Sequence, residues 1–139
     1  MKYLLDVNLL VAWGWVDHGE HARAASWIAR TRRKRGAVLF TSAIPQLGFV
    51  RVSVQRTSGQ VSPTEAGETL SGMLGTMGSV HQFLPDDQAA LVWPEWCRSA
   101  GQTTDAHLMR LAESHQAMLA TLDTAIPGAF VVPQAADAD

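Results

Sequence analysis

The stretch that decides the fold is KYLLDVNLL, residues 2–10. Tyr3, Leu4 and Leu5 form a short apolar run of the kind that fills a buried strand, and Asp6 stands at its end. Leu9, Leu10 and Val11 resume the apolar sequence, and a short helix is expected from Asn8 to Trp15. A carboxylate at the rim of a hydrophobic core is costly to desolvate unless something is paired with it. Asp6 therefore needs a reason to be there.

The pattern of strand then helix continues along the chain. Ala22, Ala25, Ile28 and Ala29 recur at helical spacing and predict a helix over 20–35, closing on TRRKRG with Gly36 as its cap. A strand follows over 37–40. Thr41 or Ser42 caps a helix over 44–56, with Pro45 in its permitted first turn. Ser62 and Glu65 flank Pro63 as a start signal for a helix over 63–77. A strand over 80–84 leads to Pro85-Asp86-Asp87, which is expected to open a helix to about Ser99. Thr103-Thr104-Asp105 starts another helix, to about His115, and strands over 117–121 and 129–132 complete the series. Alternating strands and helices predict an α/β fold, a parallel sheet flanked by helices. Residues 1–133 are expected to form one domain, with 134–139 as a disordered acidic tail.

Composition narrows the function. Of 139 residues, 47% are hydrophobic and 17% charged, and the net charge of −2 makes the whole molecule no general polyanion binder. A single cysteine, Cys97, excludes an internal disulfide and a multi-cysteine zinc site, and reads as a half-buried helical residue. Asp6 and Asn8 interrupt any N-terminal signal segment, and no apolar run is long enough for a membrane span, so a cytoplasmic protein is expected. Nucleophile-elbow, Walker and dinucleotide glycine patterns are missing from the sequence.

Ligands of parallel sheets gather beyond the carboxyl ends of the strands. Asp6 ends the first strand, Asp123 follows a later one, and Asp105 enters on a helix from the same side. Each has a simpler reading alone: a helix cap, a first-turn acid, a turn residue. Asp105, however, lies three positions before Leu108 and seven before Ala112, on the face that packs inward. Carboxylates converging at one rim repel one another, and a divalent cation is the usual remedy. An all-oxygen donor set favours magnesium or manganese over zinc.

LLDVNLL, TSAIPQLGFVRV, TTDAHL and LATLD, in this order from residue 2 to about 132, resemble a PIN domain of the VapC toxin type. The resemblance implies a Rossmann-like fold and a magnesium-dependent endoribonuclease acting on structured RNA such as transfer or ribosomal RNA. It also implies a neutralising VapB-type antitoxin and a homodimer. Asp6, Asp105 and Asp123 match acidic positions of the family, as metal ligands and catalytic residues. Asn8 matches a polar position beside the first acid, and Thr104 a hydroxyl position that orients a ligand or caps the helix. Gln46 stands where the family pattern has Glu, a catalytic position here filled by an uncharged amide. The alternative expectation is therefore a catalytically weakened PIN-like module that binds RNA or antitoxin.

Arg30, Arg32, Arg33, Lys34 and Arg35 hold five of the eleven positive charges. They read either as a solvated helix end or as an RNA-phosphate patch, which Arg51 and Arg56 would extend. Trp13 and Trp15, on a short helix that cannot easily bury both, read first as core packing, with a partner groove as the alternative if the pair is exposed, whereas Trp93 and Trp96 read as packing residues. His18, Glu20 and His21 lack a third strong ligand. His81 reads as a strand residue, and His107 and His115 as incidental.

Overall fold

The computed structural model describes residues 1–135; residues 136–139, which belong to the expected acidic tail, lie outside the described residues. Five strands, β1 (Lys2–Leu5), β2 (Val38–Thr41), β3 (His81–Phe83), β4 (Met118–Thr121) and β5 (Phe130–Val131), form one sheet. Its order is β3-β2-β1-β4-β5, and every pairing is parallel. The helices are α1 (Val7–Gly14), α2 (His21–Thr31), α3 (Ala43–Arg56), α4 (Pro63–Gly75) and α5 (Ala100–Ser114), with one 3₁₀ turn at Gly78–Val80. β1 is central, and the chain winds outward on both sides of it.

Period-two alternation sorts the sheet into two cores. Tyr3, Leu5, Leu39 and Ala120 face the helices that carry Leu9, Leu10, Trp27, Ile28, Phe49 and Leu70. Leu4, Phe40 and Leu119 face the other way, onto Leu108, Leu111 and Ala112 of α5. One face thus carries α1 to α4 and the other α5. Tyr3 is sealed edge-on by Trp27, with ring centroids 5.0 Å apart.

Local signals set most helix ends. The Asp6 carboxylate accepts the Val7 N–H at 2.8 Å, and Ser62 and Glu65 exchange the two bonds of a capping box ahead of α4. α5 begins at Ala100, earlier than Thr103-Thr104-Asp105 suggests, because the Gln102 side-chain oxygen accepts the Arg98 and Ser99 N–H groups at 2.8 and 3.2 Å. α2 ends at Thr31, so most of the basic run lies in the turns that follow, with Gly36 at φ +76°.

The helix expected from Pro85 to Ser99 does not form. Asp86 spends its start signal on a local turn, accepting the Gln88 N–H at 3.1 Å. Pro94 brings no N–H and holds Trp93 away from helical backbone. Cys97 consequently lies in this irregular segment, half-buried. Trp93 is 39% exposed and not a core residue, while Trp96 packs on the α5-side core as expected. Trp13 and Trp15 are half-buried against the opposite core, and the Trp15 indole N–H donates to Ser53 at 3.0 Å. His18 and His21 make local backbone bonds, to the Glu20 N–H and the Ala12 carbonyl.

α1 and α3 touch where Gly48 meets Val7, the residue after Asp6. A Cβ at Gly48 would lie 2.5 Å from a Val7 methyl. Gly48→Ala is expected to destabilise the protein by about 1–3 kcal/mol through overpacking. Gly67→Ala, with open space around it within α4, should instead stabilise by about 0.5–1 kcal/mol. Urea melts of the two variants read the difference directly.

Candidate active site

The register that builds the sheet also builds the site. Leu4 pairs with Leu119 and Leu5 with Ala120, so the next step sets Asp6 beside Thr121. The Asp6 N–H continues the ladder to the Ala120 carbonyl at 3.0 Å. Both side chains keep the phase of Leu4 and Leu119 and turn toward α5. Asp6 is only 4% exposed and Thr121 is fully buried.

Thr121 is the hub of this rim. Its hydroxyl donates to the Asp6 carboxylate at 2.8 Å, and its oxygen accepts the Asn8 amide N–H at 3.0 Å and the Asp123 backbone N–H at 3.1 Å. The Asn8 side-chain oxygen accepts the Leu122 N–H at 3.1 Å. Asp123 turns its own carboxylate onto the Ala125 N–H at 2.8 Å. Asn8 is thus a brace between α1 and the end of β4. The sequence marks Asp6, Asn8 and Asp123 but not Thr121, whose signal is the alternation of MLAT once its register with β1 is known.

Electrostatics tie the third acid to this pair. Burial raises the pKa of Asp6 above the usual carboxylate range, and the Asp123 charge adds to the rise. The Thr121 hydroxyl and Val7 N–H pull in the opposite direction. Asp105 is pushed up to about 6, first by burial and then by the charges of Asp6 and Asp123. The three acids therefore share one field at the carboxyl rim, where the strand order reverses around β1. Among the described residues no three acidic, histidine or cysteine side chains close a metal shell by themselves. A cation at this rim would complete its ligands from water, as magnesium ordinarily does.

Thr104 lies inside α5 and is exposed, so the helix cap is not its role. Gln46 is held on the other face of the sheet. Its amide N–H donates to Thr41 Oγ1 at 3.1 Å, and Thr41 Oγ1 is 2.7 Å from His81 Nε2. Thr41 keeps the phase of Leu39, toward α1–α4, and burial lowers the His81 pKa. His81 is therefore a hydrogen-bonded partner in the Gln46 network rather than a plain strand residue.

α2 carries the chain from the carboxyl rim back to the amino rim, where Val38 donates to the Met1 carbonyl. Arg30 to Arg35 consequently stand at the end of the sheet opposite the acids. Arg51 is exposed midway along α3. Arg56 pairs with Asp17 at 3.0 Å and lies over the Trp15 ring. His107 is not incidental: it is buried, with Nε2 2.6 Å from Asp86.

A five-stranded parallel sheet flanked by helices, with acids gathered at its carboxyl rim, is an α/β fold of the PIN-domain type. The chain belongs to the VapC ribonuclease family. It is 37% identical to ribonuclease VapC39 of Mycobacterium tuberculosis over 132 residues, covering 91% of each chain. Ribonuclease VapC38 of the same organism is 36% identical, covering 94% of this chain and 89% of its own. Ribonuclease VapC44 is 35% identical, covering 93% and 94%. No family model matches the chain.

Two outcomes follow from the rim. Thr121→Val keeps the shape but leaves Asp6, Asn8 and the Asp123 N–H short of a partner, and should cost about 1–3 kcal/mol in chemical denaturation. Asp105 holds its proton more tightly folded than unfolded. Its unfavourable contribution is therefore absent well below the unfolded pKa of 3.8, grows as pH rises from there toward about 6, and is complete above that. In chelator, Asp105→Asn should raise the melting temperature at pH 7.5 and leave it nearly unchanged at about pH 3.

Proposed function

We propose that this chain is the toxin of a toxin–antitoxin pair, a magnesium-dependent endoribonuclease that hydrolyses phosphodiester bonds of structured RNA. The observation that carries the reading is the shared field of Asp6, Asp105 and Asp123 at the carboxyl rim of a VapC-family chain. Their mutual repulsion and all-oxygen chemistry fit a hard divalent cation, magnesium foremost and manganese as a substitute. When bound, such an ion supplies a Lewis acid for the scissile phosphate and a water of lowered pKa.

The protein's own part is positioning. Asp6 is fixed at both oxygens, by the Val7 N–H and the Thr121 hydroxyl. Asp105 and Asp123 bring further carboxylate oxygens from α5 and from the end of β4. Asn8 holds the Asp123 segment against α1. Gln46 acts through its free amide oxygen, an uncharged acceptor for water, while its N–H group stays on Thr41. An acid there would add attraction for a cation worth about 4 kcal/mol at contact, with an effective dielectric of about 20, before desolvation. It would also add a fourth repelling charge to the rim.

RNA approaches the acids from the carboxyl rim, so Arg51 is the cation of α3 available to nearby phosphates. The Arg30, Arg32, Arg33, Lys34 and Arg35 cluster would hold RNA only at a distance from the cleaved bond, through salt-sensitive contacts. A VapB-type antitoxin and a second copy of the chain are the protein partners. The groove of Ala43, Leu47, Val50, Leu70 and Leu74, with Leu47 62% exposed, supports a protein-covered surface. No helix among the described residues is long and apolar enough to cross a membrane, which agrees with a cytoplasmic site of action on cellular RNA.

Antitoxin-free protein should cleave structured cellular RNA in magnesium and stop in chelator. Asp6→Ala should lower the rate about 100-fold or more, since even outer partners of metal sites cost 10–100-fold. Gln46→Glu should change it by less than about tenfold, a step of about 1.4 kcal/mol. A silent wild type with an active Gln46→Glu variant would instead identify a weakened binding module.

A further inference from the structure

The segment from Pro85 to Ser99 crosses α5 as an irregular strap. So long a stretch without regular structure in a compact domain is uncommon and usually functional. It is tied down at three points, two on α5 and one on its C-cap His115. His107 Nε2 meets Asp86 at 2.6 Å, Arg110 Nη1 donates to the Val92 carbonyl at 2.7 Å, and His115 Nε2 lies 3.4 Å from Asp87.

Between strap and helix lies a cleft of about 340 Å³. Trp93, Pro94 and Trp96 of the strap, Met109 and Arg110 of α5, and Pro127 are among the residues that line it. Its position relates it to the acids. Ala106, the first α5 residue of the lining, directly follows Asp105, and Pro127 belongs to the loop that begins at Asp123. The lining thus adjoins two of the rim acids along the chain.

We propose that this cleft seats one unpaired nucleobase of the RNA substrate, stacked against Trp93. The proposal rests on the ribonuclease reading for the identity of the substrate. The volume lies at the small end of ligand clefts and excludes a duplex. Trp93 is 39% exposed, which leaves ring surface for stacking, and aromatic rings are the usual platform for unpaired bases. Arg110 keeps donors beyond the one spent on Val92, and Glu113, also in the lining, offers an acceptor for an exocyclic amine. A base held here places its flanking phosphates toward Asp105 and Asp123. Trp93 is thus a substrate-binding residue outside the hydrolytic machinery.

Backbone amide shifts of the full chain would be followed by NMR during titration with adenosine 5′-monophosphate, with ribose 5-phosphate as the base-free control. The expected result is saturable shifts at 89–96 and 106–113 with the nucleotide alone, lost in Trp93→Ala and retained in Trp93→Phe. On an RNA substrate, Trp93→Ala should raise KM about tenfold with kcat nearly unchanged, as for loss of one stacked base. Equal shifts from ribose 5-phosphate, or none at the cleft, would overturn the proposal. So would concentration-dependent shifts at the cleft without nucleotide, which would assign it to a second copy of the chain. Nucleotide shifts at the cleft in a protein that cleaves no RNA would retain the base site and discard the nuclease reading. Normal cleavage with an unaltered Trp93→Ala KM would do the reverse.

Discussion

The bond from the Thr121 hydroxyl to the Asp6 carboxylate is the contact on which the rim depends. A charge 4% exposed at the end of the central strand is stable only if its oxygens are occupied. One oxygen caps α1 through the Val7 N–H, and the other takes the Thr121 hydroxyl. Thr121 in turn anchors Asn8 and the Asp123 backbone. One parallel pairing, β1 with β4, therefore fixes the helix start, the acid and the loop that carries the next acid. A one-residue slip in that register would send Thr121 to the opposite face.

The same arrangement works against the stability of the chain by itself. Burial and neighbouring charges hold Asp6 and Asp105 above the usual carboxylate range. Such tension is common where acids are kept for chemistry rather than for folding. The rest of the molecule carries the fold: two apolar layers of Leu, Phe, Trp and Ile on either side of five short strands. Gln46 fits this division. Its amide N–H is held on the Thr41–His81 side of the sheet, and it adds no charge to a rim that already holds three acids.

Much of the architecture was legible in the sequence because short apolar runs alternate with helical spacing and strong caps such as Ser62 with Glu65. The place of Asp6 and Asp123 at the carboxyl rim is legible because each follows the end of an apolar strand, and that of Asp105 because it lies on the stripe of Leu108 and Ala112. The segment after Pro85 departs from its local sequence pattern. Pro-Asp-Asp is a good helix start, but Pro94 and the Asp86–His107 contact settle the competition, and that contact spans twenty-one positions. Thr121, Thr41 and His81 were hidden for a related reason. Their hydrogen bonds depend on inter-strand register, which no local pattern encodes. The basic run of residues 30–35 is plain in the sequence, but its place at the rim opposite the acids follows from topology alone.

The central claim is that Asp6, Asp105 and Asp123 share one electrostatic field that a divalent cation relieves. Titration of the aspartate carboxyl carbons by NMR, first in chelator and then in magnesium, tests it most directly. Asp105 is expected to titrate near pH 6 without the ion and to shift far downward with it. An Asp105 that titrates as an ordinary carboxylate in chelator, or is unmoved by magnesium, would contradict it.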